Sequence, residues 1–251
     1  RSNMFVDTHC HIHEHDFPLE ISGVFERAAS AGVDTYVCVG TSIDSSAQAI
    51  AFADQHPRSH AVIGVHPHDT KDGYDIKQLV GTSEKIIAVG EIGLDYFYEH
   101  SSKEVQKEAL EAQLDIAQAE NLPVIFHVRD AFDDFWPILD QYEGITGILH
   151  SFTDSEAHMY EAIRRGLYIG VNGISTFTKD PVQQAMFDAI PLDRLVFETD
   201  APFLTPHPFR GKVNEPAFVR DIAAYHAARR GISLEECARV TTANARAALR
   251  I

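Results

Sequence analysis

The sequence predicts a single-domain (β/α)8 TIM barrel over residues 4–251. Eight short apolar runs recur about 30 residues apart, each followed by a helix-like segment, which is the strand–helix alternation of a parallel sheet. The length of 251 residues suits one such barrel. Polar residues able to carry chemistry gather at the C-terminal ends of the runs, the face on which barrels of this type place their active sites. A doubly wound open sheet is the alternative. Its first strand would usually lead into a Gly-rich phosphate turn, and here that position holds His9-Cys10-His11.

Taken in order, Met4–His9 reads as the first strand and Ile21–Ala31 as a helix stopped near Gly32. Thr35–Gly40 is the second strand, and Ser46–Gln55 a helix ended by Pro57. Ala61–Val65 is the third strand, followed by a weaker helical segment at Tyr74–Gly81. Lys85–Gly90 is the fourth strand. Glu104–Glu120 is the clearest helix, with Val105, Leu110, Leu114 and Ala117 on one stripe and charges opposite. Pro123–His127, Thr146–His150, Leu167–Val171 and Arg194–Thr199 supply the last four strands. Helices at Phe132–Tyr142, Ser155–Arg165 and Pro181–Ala189 lie between them, the last with proline in its first turn. Asn214 has the chemistry of an N-cap for a helix at Glu215–Arg230, which Gly231 stops. Ser233-Leu234-Glu235-Glu236 is a capping box for a final helix.

Composition narrows the class. Hydrophobic residues make up 45% of the chain, enough for a sizeable core. No apolar run reaches the ~18 residues of a membrane span, and no signal-peptide pattern opens the chain. Arg1-Ser2-Asn3, ahead of Met4, reads as a vector-derived leader. Cys10, Cys38 and Cys237 make no disulfide framework and fit a reducing, cytoplasmic compartment. The formal charge of −16 argues against a nucleic-acid partner, unless acidic metal ligands hold cations that reverse the local field.

Fourteen histidines are more than structure alone needs. His9 and His11 alternate onto one face of the first strand, with Cys10 turned into the barrel wall. Glu91 follows strand four, His127 ends strand five, His150 ends strand six and Asp200 follows strand eight. Six ligands are too many for one catalytic zinc and suit two divalent ions sharing a carboxylate. Glu91 is the expected bridge, with His9, His11 and Asp200 on one ion and His127 and His150 on the other. Such a pair holds a bridging hydroxide for hydrolysis, with Asp200 placed to accept the nucleophile's proton. The four imidazoles suit zinc or manganese.

The chain resembles the TatD family of metal-dependent deoxyribonucleases, within the amidohydrolase-like barrel superfamily. The resemblance rests on Asp7-Thr8-His9-Cys10-His11, Gly64-Val65-His66-Pro67-His68, the run from Gly90 to Tyr96, His127-Val128-Arg129, His150-Ser151-Phe152, Glu198-Thr199-Asp200-Ala201-Pro202 and the run from Arg210 to Pro216. It implies the same metal roles, magnesium-supported activity, and action on DNA, with 3′-to-5′ exonuclease activity in some members. Thr153-Asp154 departs from the pattern, because in family members a glycine often follows the motif that stands here as His150-Ser151-Phe152.

Around this set, His66 and Arg129 are expected to contact substrate, Arg129 by pairing with phosphate or carboxylate. Glu198 is expected at a substrate water or the metal, its alternative being a buried hydrogen-bonding role. Asp95 is expected to orient a histidine ligand. His13, Glu14, His15 and Asp16 read as a loop rim, and Arg210 and Lys212 as solvated surface cations that could otherwise track a nucleic-acid backbone. The leading function is hydrolysis of DNA phosphodiesters, on single strands or 3′ ends. The alternatives are a small-molecule amide, ester or lactone hydrolase and a non-catalytic metal-bound binding protein. No membrane partner is expected, and no oligomeric state follows from the sequence.

Overall fold

A computed structural model describes residues 4–251, so Arg1-Ser2-Asn3 lies outside the described residues. Eight parallel strands pair in sequence order: β1 (Phe5–Cys10), β2 (Val33–Val39), β3 (Ser59–Ile63), β4 (Ile86–Asp95), β5 (Val124–Arg129), β6 (Gly147–Leu149), β7 (Tyr168–Val171) and β8 (Leu195–Phe197). Helices α1 (Ile21–Ser30), α2 (Ile43–Gln55), α3 (Lys103–Ala119), α4 (Phe132–Leu139), α5 (Glu156–Arg164), the single turn α6 (Ile174–Phe177) and α7 (Pro181–Ala189) lie between the strands. Helices α8 (Val219–Arg230) and α9 (Leu234–Leu249) follow. This is the (β/α)8 barrel that the alternation predicts.

Helix α2 and the segment after β3 depart from expectation for local reasons. Helix α2 begins at Ile43, three residues ahead of the predicted start, because the Ser42 hydroxyl caps it by accepting the Ser45 amide at 3.0 Å. The weak helix after β3 is two 3-10 turns, Pro67–Asp72 and Ile76–Leu79.

Two apolar layers form. Phe5, Ile63, Leu110, Leu114, Phe126 and Phe135 pack between strands and helices. Val6, Val37, Val39, Val62, Ala88, Ile125, Ile148 and Val196 form a second cluster with Ala245, Ala248 and Leu249 of α9. Asn244 of α9 donates to the carbonyls of Leu192 and Leu195, both 2.8 Å away at the start of β8. Helix α9 therefore plugs the N-terminal end of the barrel, and the ligating cavity opens at the opposite face.

Among the described residues no ladder joins β8 to β1. Side chains and the residues after β8 close the seam instead. The Asp7 carboxylate accepts the Thr199 amide at 2.9 Å and the Thr199 hydroxyl at 2.5 Å. Thr8 donates to the Phe197 carbonyl, the Asp200 amide to the His9 carbonyl, and the His11 amide to the Ala201 carbonyl. Asp7 is fully buried, and burial pushes its carboxyl up to about 8 against the hydrogen bonds from Thr199 and His9.

Asp7→Ala should destabilise the fold by about 1–3 kcal/mol, because the Thr199 amide loses its acceptor in a dry seam. Asp7→Asn should cost less. An unfolded aspartate loses its proton near pH ~4, below the folded value, so Asp7 contributes stability at acid pH that fades as pH rises toward about 8. Urea unfolding across pH reads both effects: Asp7→Asn should flatten the slope, and an unchanged slope would contradict this account.

Candidate metal centre

Glu91 is aimed by a break in the ladder. Strand β4 pairs Gly90 with Ile125 and Ile92 with Phe126, so Glu91 is an extra residue that β5 does not match. Its amide donates instead to the carbonyl of Gly40, one residue past β2, at 3.0 Å. The backbone there is too close for side chains. A Cβ on Gly64 would lie 2.5 Å from Gly90 backbone, and one on Gly93, at φ +156°, would lie 1.8 Å from the His127 carbonyl.

The bulge delivers the carboxylate into a ring of imidazoles. Glu91 Oε1 lies 3.3 Å from His9 Nε2. Glu91 Oε2 lies 3.2 Å from His127 Nδ1, 3.3 Å from His150 Nε2 and 3.7 Å from His66 Nε2. Asp200 Oδ1 stands 3.0 Å from His11 Nε2 and 3.5 Å from His9 Nε2. All six predicted ligands thus converge, and Glu91 faces one group with each oxygen. His9, His11 and Glu91 offer ligand atoms within 4.8 Å of one another. Asp200 sits at φ +59°, a left-handed conformation uncommon for a residue with a side chain.

Partners behind the ring fix which nitrogen faces inward. His11 Nδ1 is 2.9 Å from the Val39 carbonyl, which can only accept. His127 Nε2 is 2.8 Å from Asp95, and His150 Nδ1 is 2.8 Å from Glu198. Each outward nitrogen carries the proton, so each inward nitrogen presents a lone pair. Lone pairs then face carboxylate oxygens at 3.0–3.3 Å, an arrangement that needs protons or cations between them. The donor set therefore fits divalent metal. His9 is held differently: its Nδ1 is buried without a partner, and its ring stacks on His150 at 3.5 Å.

The electrostatics agree. Burial alone would raise Glu91, but His150, His9 and His66 hold it well below the carboxylate range. Burial would also lower His150, but Glu198, Glu91 and Asp200 outweigh it and lift it to about 10. Burial likewise opposes charge on His11 and His127, yet Asp200 raises His11, and Asp95 with Glu91 raises His127. His66 moves the other way. Burial and His127 drive it well below 6.5, and its Nδ1 accepts the His68 amide at 3.0 Å. Neutral His66 therefore carries its proton on Nε2 and faces the cluster as a donor, although it lies near enough to Glu91 and His127 to share a metal.

A cavity of about 460 Å³ opens onto these groups, lined by His66, Arg129, Ser151, Thr153, Phe203 and Leu204 among others. A hollow of about 510 Å³ elsewhere, among Met4, Phe25, Tyr36 and Pro57, has no ligating cluster among the described residues.

Other expected groups fall into place or are corrected. Asp95 also accepts from His68 at 3.0 Å and is held low chiefly by His127 against the effect of burial. Arg129 is exposed and stacks on Phe97 at 4.0 Å, with no ion pair to Asp130 or Asp133 among the described residues. Glu198, expected at substrate, is fully buried; it accepts from Ser151 and Asn172 as well as holding His150. Asn214 is not a helix cap: its amide donates to the Thr199 and Phe203 carbonyls, and the helix opens with a 3-10 turn at Pro216. His13 is buried against Ser45 and Glu14 instead of lying on the rim. Arg210 is spent on the Thr205 carbonyl and the Phe177 ring. Sequence reasoning gave no role to Asp7, Asn172 or Phe203. Asn172, one residue past β7, carried the strand-end signal that found the others.

Loading a divalent ion at pH 7 should release protons from the raised imidazoles, so affinity should climb with pH toward about 10. Calorimetry in two buffers of different ionisation enthalpy counts them, and a flat pH profile would exclude this electrostatic picture. Glu198→Gln and Asp95→Asn should each weaken metal binding by about 10–100-fold.

The sequence profile of the family described as TatD related DNase matches residues 6–250. A Bacillus subtilis protein named uncharacterized metal-dependent hydrolase YabD is 38% identical over 99% of this chain and 100% of its own length. A Salmonella typhimurium protein named 3′-5′ ssDNA/RNA exonuclease TatD is 35% identical over 92% of this chain and 93% of its own. The crystal structure of YjjV, a TatD homolog from Escherichia coli, superposes with a TM-score of 0.91 at 29% identity, covering 98% of each chain. With its buried histidine–carboxylate cluster, the chain belongs to the TatD-related DNase family of metal-dependent hydrolases.

Proposed function

We propose that this chain is a two-metal deoxyribonuclease that removes nucleotides from the 3′ end of single-stranded DNA. The observation that carries the two-ion reading is the division made by Glu91, one oxygen toward His9 and the other toward His127 and His150. His9, His11 and Asp200 would hold one ion, His127 and His150 the second, and Glu91 both. Zinc or manganese suits four imidazoles by softness, and magnesium is the ion the family resemblance implies. Bound divalent ions supply a water acidic enough to attack at neutral pH and positive charge for phosphoryl oxygens.

The chain's own residues do the rest. His66 donates its Nε2 proton to a non-bridging phosphate oxygen. Arg129, on the cavity wall, pairs with the same or the neighbouring phosphate. Burial would raise Asp200, but His150 and His11 keep it anionic, ready to accept the proton of the attacking water. The polarity and the single-stranded substrate rest on relatives named as 3′-5′ ssDNA/RNA exonucleases. No helix among the described residues is long and apolar enough to cross a membrane, and the three buried free thiols suit the cytoplasm. The acidic charge of −16 also suits a small amide, ester or lactone, which sets the comparison below.

His127→Ala and Asp200→Ala should each lower kcat/KM on a single-stranded oligodeoxynucleotide by about a hundredfold or more. Chelation should abolish turnover. Cleavage unchanged in both variants would mark the activity as a contaminant, and metal-dependent turnover confined to an ester and amide panel would favour the small-molecule alternative.

A further inference from the structure

Three large apolar side chains stand in solvent around the mouth of the ligating cavity. Phe203 is 60% exposed, Phe97 54% and Tyr98 53%. Exposed aromatics scattered singly are ordinary, but these are grouped at one opening. Phe203 and Leu204 line the cavity from the β8 side, and Arg129 lines it from the β5 side. The Arg129 guanidinium lies 4.0 Å over the Phe97 ring and 5.3 Å from Tyr98, so the two rings carry that wall outward.

The Phe203 backbone is braced. Its amide donates to the Asp200 carbonyl at 3.0 Å, and its carbonyl accepts from Asn214 at 2.6 Å. The same Asn214 amide group donates to the Thr199 carbonyl at 2.9 Å, tying the turn to the end of β8. The ring is thus presented from a fixed backbone three residues after Asp200. An aromatic held this way loses little freedom when a flat partner lies on it.

Charge narrows the partner. At a formal charge of −16 the chain as a whole repels a phosphate backbone, so contacts other than charge must hold the strand. A nucleobase presents a flat π-face to such rings whatever its identity, and in a duplex that face is already covered by its neighbours. We infer that Phe203 on one wall, and Phe97 and Tyr98 beside Arg129 on the other, stack the unpaired terminal bases of a single-stranded nucleic acid. Its scissile phosphate then reaches the Glu91 cluster. This rests on the nuclease reading above for the identity of the occupant, and it adds a physical basis for selecting single strands.

The test is stopped-flow fluorescence of metal-loaded protein mixed with a single-stranded oligonucleotide carrying 2-aminopurine at its 3′ end, read before cleavage. Stacking quenches this base. Wild type should quench it, and Phe203→Tyr should keep the quench. Phe203→Ala, a change at an exposed side chain, should lose most of it and raise Kd by about fivefold or more. A quench of equal size in Phe203→Ala and in the Phe97→Ala/Tyr98→Ala double variant would overturn the inference, as would no quench in wild type. Cleavage of the same oligonucleotide, followed in parallel, keeps the two claims apart. A Phe203-dependent quench without cleavage sinks the nuclease reading and leaves the stacking site standing.

Discussion

One buried carboxylate sets the architecture of the site. Glu91 is 3% exposed and lies within 3.2–3.7 Å of nitrogens from four histidines. Burial on that scale would neutralise an isolated glutamate, so its charge depends on the imidazoles, and their charge depends on it. The bulge in β4, the glycines at 64, 90 and 93 and the contact with Gly40 all bring that carboxylate to the axis. Asp95 and Glu198 then turn the far nitrogens of His127 and His150 outward. Removing any of these supports would misdirect a lone pair before it removed a ligand.

The barrel around the cluster is built to be rigid there and closed elsewhere. Helix α9 fills the N-terminal end, opposite the ligating cavity. The β1–β8 seam, where the sheet lacks a ladder, is held by Asp7 and Thr199, and it is the seam that carries His9, His11 and Asp200. Closure of the fold and placement of half the ligands are therefore the same set of hydrogen bonds. The exposed rings of Phe97, Tyr98 and Phe203 stand at the mouth, where a flexible substrate would meet the protein first.

Much of this was legible in the sequence. Short apolar runs about 30 residues apart, helical stripes and histidines at strand ends pointed to the barrel and the convergence of the six ligands. What was hidden depended on backbone geometry that residue spacing does not encode. Glu198 and Asp200 should share a face in a regular strand, but β8 ends at Phe197 and Asp200 adopts φ +59°, so Glu198 turns to His150. Lys85–Gly90 read as the whole of strand four because its apolar run ends at Gly90; the ladder resumes beyond the bulge and runs to Asp95. Asn214 precedes Glu-Pro as a helix cap would, yet two carbonyls distant in the chain claim its amide. The proton on His66 Nε2 follows from one amide contact that no motif announces.

The central claim is that Glu91 divides the centre between two ions, and anomalous diffraction from manganese-loaded crystals tests it most directly. Two peaks are predicted, about 3.5–4 Å apart and both touching Glu91. One should lie against His9, His11 and Asp200, the other against His127 and His150. A single peak on one side of Glu91 at saturating manganese, or a peak coordinated by His66 in place of His150, would contradict it.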